Sequence, residues 1–116
     1  MMIFITGPLF SGKADYARRL CHEEELCLNV QTLAAGENDL IALADRLAAR
    51  YKVIAATEVG GGVVPADPVQ RAEREAAGRL ACLLAERADT VVRIFCGLPM
   101  ILKGRLPDKP DEQRDG

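Results

Sequence analysis

An α/β fold is predicted for this chain: a small, mainly parallel sheet with flanking helices, of the phosphate-loop type. Three observations carry that expectation. Short β-branched apolar runs alternate with longer stretches whose apolar residues recur at helical spacing. Val53-Ile54-Ala55-Ala56 is apolar on both faces, as strands covered by helices on either side are. The first apolar run, Met2 to Ile5, opens directly into a glycine-bounded loop and then a helical pattern, the way a strand hands over to a crossover helix.

Taken in order, Met2 to Ile5 begins the first strand, and Lys13 to Glu25 reads as a helix with Tyr16, Ala17, Leu20 and Cys21 at helical spacing. Leu26 to Leu33, β-favouring at Val30 and Thr32, reads as a second strand broken by Ala34-Ala35-Gly36. Glu37 to Arg50 is an amphipathic helix with Leu40, Ile41, Ala44, Leu47 and Ala48 on one face and Asn38 or Gly36 as its cap. Lys52 to Thr57 is the third strand, and Glu58 to Pro65 a loop by its three glycines and proline. Asp67 to Arg87 is the longest helix, entered through a capping Asp67 with Pro68 at the first helical position. Thr90 to Cys96 is a fourth strand that Gly97-Leu98-Pro99 ends, and Met100 to Lys103 adds a short edge strand. Residues 1–103 therefore form one domain. From Gly104 to Gly116 the composition shifts to Pro, Asp, Lys, Arg and Gln, which reads as a disordered tail.

The first loop carries the chemistry. Gly7-Pro8-Leu9-Phe10-Ser11-Gly12-Lys13-Ala14 has the spacing GxxxxGK of a phosphate-binding loop. Glycines let the backbone wrap close to a phosphate, successive N–H groups act as anion donors, and Lys13 reaches the outer phosphates. The plain alternative is an ordinary strand-to-helix turn. Where the pattern has Ser or Thr to ligate magnesium, this chain has Ala14, which carries no oxygen. Ligands of parallel sheets bind at the carboxyl ends of the strands, and both this loop and Glu58 fall at that edge. Glu58 reads equally as an acid that orients magnesium, water or a substrate hydroxyl, or as a solvated strand-end carboxylate. Arg71, Arg74 and Arg79 read as a charged helix face, with a phosphate or subunit contact as the sharper alternative.

Composition narrows the classes. The 116 residues suffice for one core, and with 4% aromatic residues that core is aliphatic. A net charge of -2 offers no general attraction to nucleic acid or anionic membrane. No apolar run approaches the roughly 20 residues of a membrane span, and the N-terminal run lacks a basic flank. Cys21, Cys27, Cys82 and Cys96 form no CxxC pair, and the single histidine, His22, has no ligand set around it. No metal-ligating residue is assigned, and a cytoplasmic protein with reduced cysteines is expected. Cys82 and Cys96 read as small core residues. So minimal a sheet leaves little surface for a second substrate, so a homo-oligomer is expected.

Glu58-Val59-Gly60-Gly61-Gly62-Val63-Val64-Pro65 resembles the EVGxGIVP signature of the adenosylcobinamide kinase/adenosylcobinamide-phosphate guanylyltransferase family, which builds the nucleotide loop of cobalamin. Arg74-Glu75-Ala76-Ala77-Gly78 stands where that family reads RDxxG, and Leu84 to Val91 is similar to its LAxxADxV. Cys96-Gly97-Leu98-Pro99 is similar to its SGxP, with Lys103 close behind, and Gly7 to Lys13 occupies the place of its GxxRSGKS loop. The resemblance runs from Met2 to Lys103. It implies ATP or GTP on the loop, magnesium as companion ion, and the aminopropanol hydroxyl of adenosylcobinamide as acceptor, with Lys13 and Glu58 catalytic. Three departures stand against it: Ala14 replaces the loop Ser, Ala81 replaces the Asn after RDxxG, and the block with the GMP-accepting histidine looks deleted. His22 precedes the second strand and is not that acceptor, so the guanylyl half-reaction is expected to be lost. The alternative is a non-catalytic nucleotide-binding or scaffold relative.

Overall fold

The computed structural model describes residues 1–58 and 67–106. Its strands are β1 (Ile3–Gly7), β2 (Leu26–Cys27), β3 (Val53–Thr57), β4 (Thr90–Phe95) and β5 (Leu98–Lys103), and its α-helices α1 (Lys13–Arg18), α2 (Leu40–Arg50) and α3 (Pro68–Arg87). They form one sheet in the order β2-β3-β1-β4-β5, parallel except for the antiparallel β4–β5 hairpin. The α/β expectation holds.

Strand alternation divides the core in two. On one face Met2, Phe4, Ile54, Ala56 and Val91 pack against α2 and α3 through Leu43, Leu47, Leu80 and Leu84. On the other, Ile3, Ile5, Val53, Ala55, Val92 and Ile94 pack with Ala17 of α1 and Leu26. Strands rich in Ile and Val suit a sheet buried on both sides. Arg87 ties α3 to α2 through Asp45 at 2.6 Å.

Several boundaries depart from expectation, each for a local reason. The first helix stops at Arg18, and Glu23–Glu25 form a separate 3₁₀ turn. Three consecutive glutamates at a helix C-terminus would oppose the helix dipole, whereas at the start of a turn they favour it. The second strand keeps only Leu26–Cys27, and Val30–Leu33 turn into 3₁₀ helix after Asn29 adopts a left-handed φ of 56°. The Gln31 side chain then accepts the Thr57 N–H at 2.9 Å, at a point on the β3 edge beyond the β2 pairing. α2 starts later than expected. Its cap is Asp39, which accepts from the Ala42 N–H at 3.0 Å, and Ile41 faces solvent. The Asp67–Pro68 entry to α3 is as expected, with Asp67 accepting from the Val69 N–H at 2.9 Å.

The edge strand is longer than its expected Met100–Lys103, because Leu98 and Pro99 belong to it. Cys96 and Gly97, at φ 52° and 77°, make the two-residue turn whose positive φ pair matches the twist of a hairpin. Gly104 to Leu106, counted in the expected tail, are held to the fold. Thr90 Oγ1 donates to the Arg105 carbonyl at 2.6 Å, and Leu106 packs against the α1-side core. A side chain on Gly104 would collide with the Asp89 carbonyl, so the chain turns there only as glycine. Residues 107–116 of the expected tail, and the Gly60-Gly61-Gly62 run, lie outside the described residues.

Candidate functional site

Gly7 ends β1 opposite Thr57 of β3, so the loop leaving β1 and the Glu58 that follows β3 meet at one edge. The Glu58 N–H donates to the Gly7 carbonyl at 2.8 Å. No side chain fits at Gly7, where a Cβ would stand 2.5 Å from the Ile94 carbonyl oxygen and 2.8 Å from Ser11 Oγ. Its glycine is thus required by the close approach of β4 and of the loop itself. Gly12, at φ 89°, turns the chain into α1, and Phe10 also has a positive φ, 63°. Phe10 stands 93% exposed at the loop tip. The far side of the loop is braced by the β4–β5 turn: the Gly97 N–H donates to the Ser11 carbonyl at 2.9 Å, and a Cβ on Gly12 would lie 3.5 Å from Gly97 Cα. Sequence reasoning read Gly97 as ending a strand and as part of a motif similar to SGxP, and did not foresee this contact with the loop.

Lys13 is buried and folds back over the loop, its Nζ donating to the Pro8 carbonyl at 3.0 Å. Burial pushes its ammonium pKa down, and the Glu58 carboxylate works against that shift. The Lys13 side chain and the Glu58 backbone N–H thus hold two consecutive carbonyls, those of Pro8 and Gly7. A cleft of about 260 Å³ opens beside Lys13, lined by the loop from Leu9 to Asp15, by Leu28 and Asn29, and by Ala55 and Thr57, the residue before Glu58. Ser11 Oγ, beneath the loop, has no hydrogen-bond partner.

The partner of Glu58 is a residue that sequence reasoning missed. Arg93 of β4 donates Nε to Glu58 Oε2 at 2.7 Å and Nη2 to Oε1 at 2.9 Å, a bidentate pair. These bonds hold the Glu58 carboxyl below its ordinary range against the opposing effect of desolvation, with Thr6 and Lys13 adding to the lowering. An arginine interrupting an apolar strand, Val91-Val92-Arg93-Ile94, was the available signal.

Other expected residues lie elsewhere. His22 is not at the end of the first helix. It is exposed before the 3₁₀ turn, its N–H donating to Glu25 Oε1 at 2.9 Å, and it does not line the loop cleft. Cys82 and Cys96 are exposed and not core, one on the outer side of α3 and the other in the hairpin turn. Arg74 lines a separate cavity of about 490 Å³ between Gln31-Thr32 and α3.

The glycine-pinned loop, its lysine and the adjoining cleft lie together at the carboxyl edge of the sheet. Magnesium fits poorly there. Position 14 offers a methyl group, and both oxygens of Glu58 are already engaged by Arg93. Among the described residues no group of three or more His, Cys, Asp or Glu is placed to hold an ion.

The model of the cobinamide kinase / cobinamide phosphate guanyltransferase family matches residues 29–102. The chain belongs to this family. No curated protein matches it closely enough to count as a relative. The match takes in α2, β3, Glu58, α3, Arg93 and all but the last residue of β5, and it begins after the Gly7–Ala14 loop. Family membership places the chain among nucleotide-using transferases of cobalamin biosynthesis. Among the described residues no helix is long and apolar enough to cross a membrane.

Proposed function

We propose that this cobinamide kinase family member transfers the terminal phosphoryl group of ATP or GTP to the hydroxyl of adenosylcobinamide. The observation that carries the reading is the meeting of the glycine loop, Lys13 and Glu58 at one sheet edge beside an open cleft. In this reading the backbone from Gly7 through Pro8, Leu9, Phe10, Ser11 and Gly12 to Ala14 wraps the phosphates. Lys13 neutralises the charge on the transferring group, and Glu58 orients the acceptor side. The protein works in the cytoplasm as a homo-oligomer, β5 being its exposed edge.

Guanylyl transfer is absent from this assignment. Covalent GMP attachment needs a nucleophilic nitrogen in line with the α-phosphate. His22 is the chain's only histidine, and it stands exposed outside the cleft lining. A second reading, a nucleotide-binding relative without turnover, is favoured by Ala14 and by the pairing of Glu58 with Arg93.

Incubation with ATP and adenosylcobinamide, followed by chromatography and mass spectrometry of the corrinoid, separates the two. Cobinamide phosphate that disappears in Lys13→Ala supports the kinase; bound nucleotide without product supports the second reading. Intact-mass measurement after GTP treatment is expected to show no added GMP. An adduct lost in His22→Ala would overturn the missing half-reaction.

A further inference from the structure

Arg93 stands at the β4 position paired with Thr6 of β1, while Glu58 follows the end of β3 on the other side of β1. The guanidinium therefore reaches across β1 next to Gly7, the residue that opens the loop, to meet both Glu58 oxygens at 2.7 and 2.9 Å. That pair uses two of the five N–H donors an arginine has. A carboxylate holding the guanidinium by two parallel bonds fixes its plane, so its other edge is oriented before any ligand arrives. The pair is neither sealed in nor fully solvated, with side chains 34% and 33% exposed. The Phe95 ring, 5.5 Å from the guanidinium carbon, flanks it.

Two positions in a loop of this architecture ordinarily serve a divalent ion: the residue after the lysine and the acid at the end of the neighbouring strand. Here the first is a methyl group, and the second is already neutralised by Arg93. The positive charge missing at one position is present as a side chain at the other.

We propose that Arg93 takes the place of the metal: the site binds a nucleoside triphosphate free of divalent cation, between Lys13 and the Glu58-held Arg93. This inference rests on the loop being the nucleotide site. Guanidinium suits the task because its planar donors match phosphate oxygens two at a time, and it stays charged at every working pH.

Calorimetric titration of ATP into the full chain, in EDTA and in excess Mg²⁺, tests it. Wild-type affinity is expected to agree within about threefold between the two conditions, and Arg93→Met to lose about tenfold or more in EDTA. Mg²⁺ is expected to restore part of that loss, because the substitution frees Glu58 to act as a metal ligand. A purely structural role for Arg93 would produce no such metal-dependent recovery. The proposal is overturned by wild-type binding that needs Mg²⁺, by Arg93→Met binding like wild type in EDTA, or by a loss that Mg²⁺ does not relieve. Should Arg93→Met fail to fold, Arg93→Lys keeps the charge without the fork. A loss of about threefold or more in EDTA then supports the proposal, and unchanged binding overturns it. Binding that depends on Lys13 but not on Arg93 defeats this inference alone. Wild-type binding that is absent, or unaffected by Lys13→Ala, defeats the loop reading and this inference with it.

Discussion

At position 14 one atom decides what kind of loop this is. A Ser or Thr hydroxyl there ligates magnesium, and the Ala14 methyl cannot. The side chain is half-buried on the wall of the loop cleft, so a single added oxygen would point into the same space. Ala14→Ser is therefore expected to make nucleotide binding magnesium-dependent, strengthening it by about threefold to tenfold in Mg²⁺ over EDTA. Calorimetry reads this directly, and equal binding in both conditions would contradict it. Residues whose places follow from spacing along the chain were legible at this scale: Gly7, Gly12 and Lys13 bracket a loop, and Glu58 follows directly on a strand. Arg93 was not, because its partner lies 35 residues away across an intervening strand, and no local pattern encodes that separation. Cys82 and Cys96 were misplaced because small, moderately apolar side chains suit a core and a surface almost equally.

Among the elements, those with strong end signals were read closely. Asp67 and Pro68 start α3 where expected, and the apolar run of β3 could hardly be anything else. Elements whose ends depend on tertiary partners were not: Gln31 takes over the Thr57 N–H beyond β2, and Gly97 braces the loop from a turn that looked like a stop. The edge strand β5 has the clearest consequence. Leu98, Met100, Ile101 and Leu102 are all exposed, on a strand whose outer edge is unpaired among the described residues. Edge strands of this kind invite pairing unless a charge or proline blocks them; Pro99 blocks one end, and Lys103 at the other turns its ammonium onto the Ala85 and Glu86 carbonyls. Sedimentation over a range of concentrations is expected to show self-association that Ile101→Lys weakens by about tenfold. A wild-type chain that stays monomeric at high concentration, or a variant that associates as well, would contradict an interface at β5.

For the whole molecule, the strand order sets what the loop can be. Placing β1 between β3 and β4 braces the loop from both sides, by the Glu58 N–H on Gly7 and by the Gly97 N–H on Ser11. The same order brings Glu58 and Arg93 together over β1, and it leaves the cleft open at the carboxyl edge. Alternation of strands and helices made the parallel sheet legible in advance, since crossover connections leave few topologies to choose from. Which strand flanks which was not legible, and the Arg93 contact hangs on that. One consequence concerns pH. Because the folded Glu58 carboxyl titrates below its ordinary value, its contribution to stability is complete above the unfolded value and is lost as pH falls through the folded one. In the proposed function this edge binds the phosphates of a nucleotide through Lys13. Titration of ATP and of GTP into wild type and into folded Lys13→Ala tests it most directly. Loss of a charged, partly buried donor is expected to weaken binding at least about tenfold. Equal binding by the two proteins would contradict the claim.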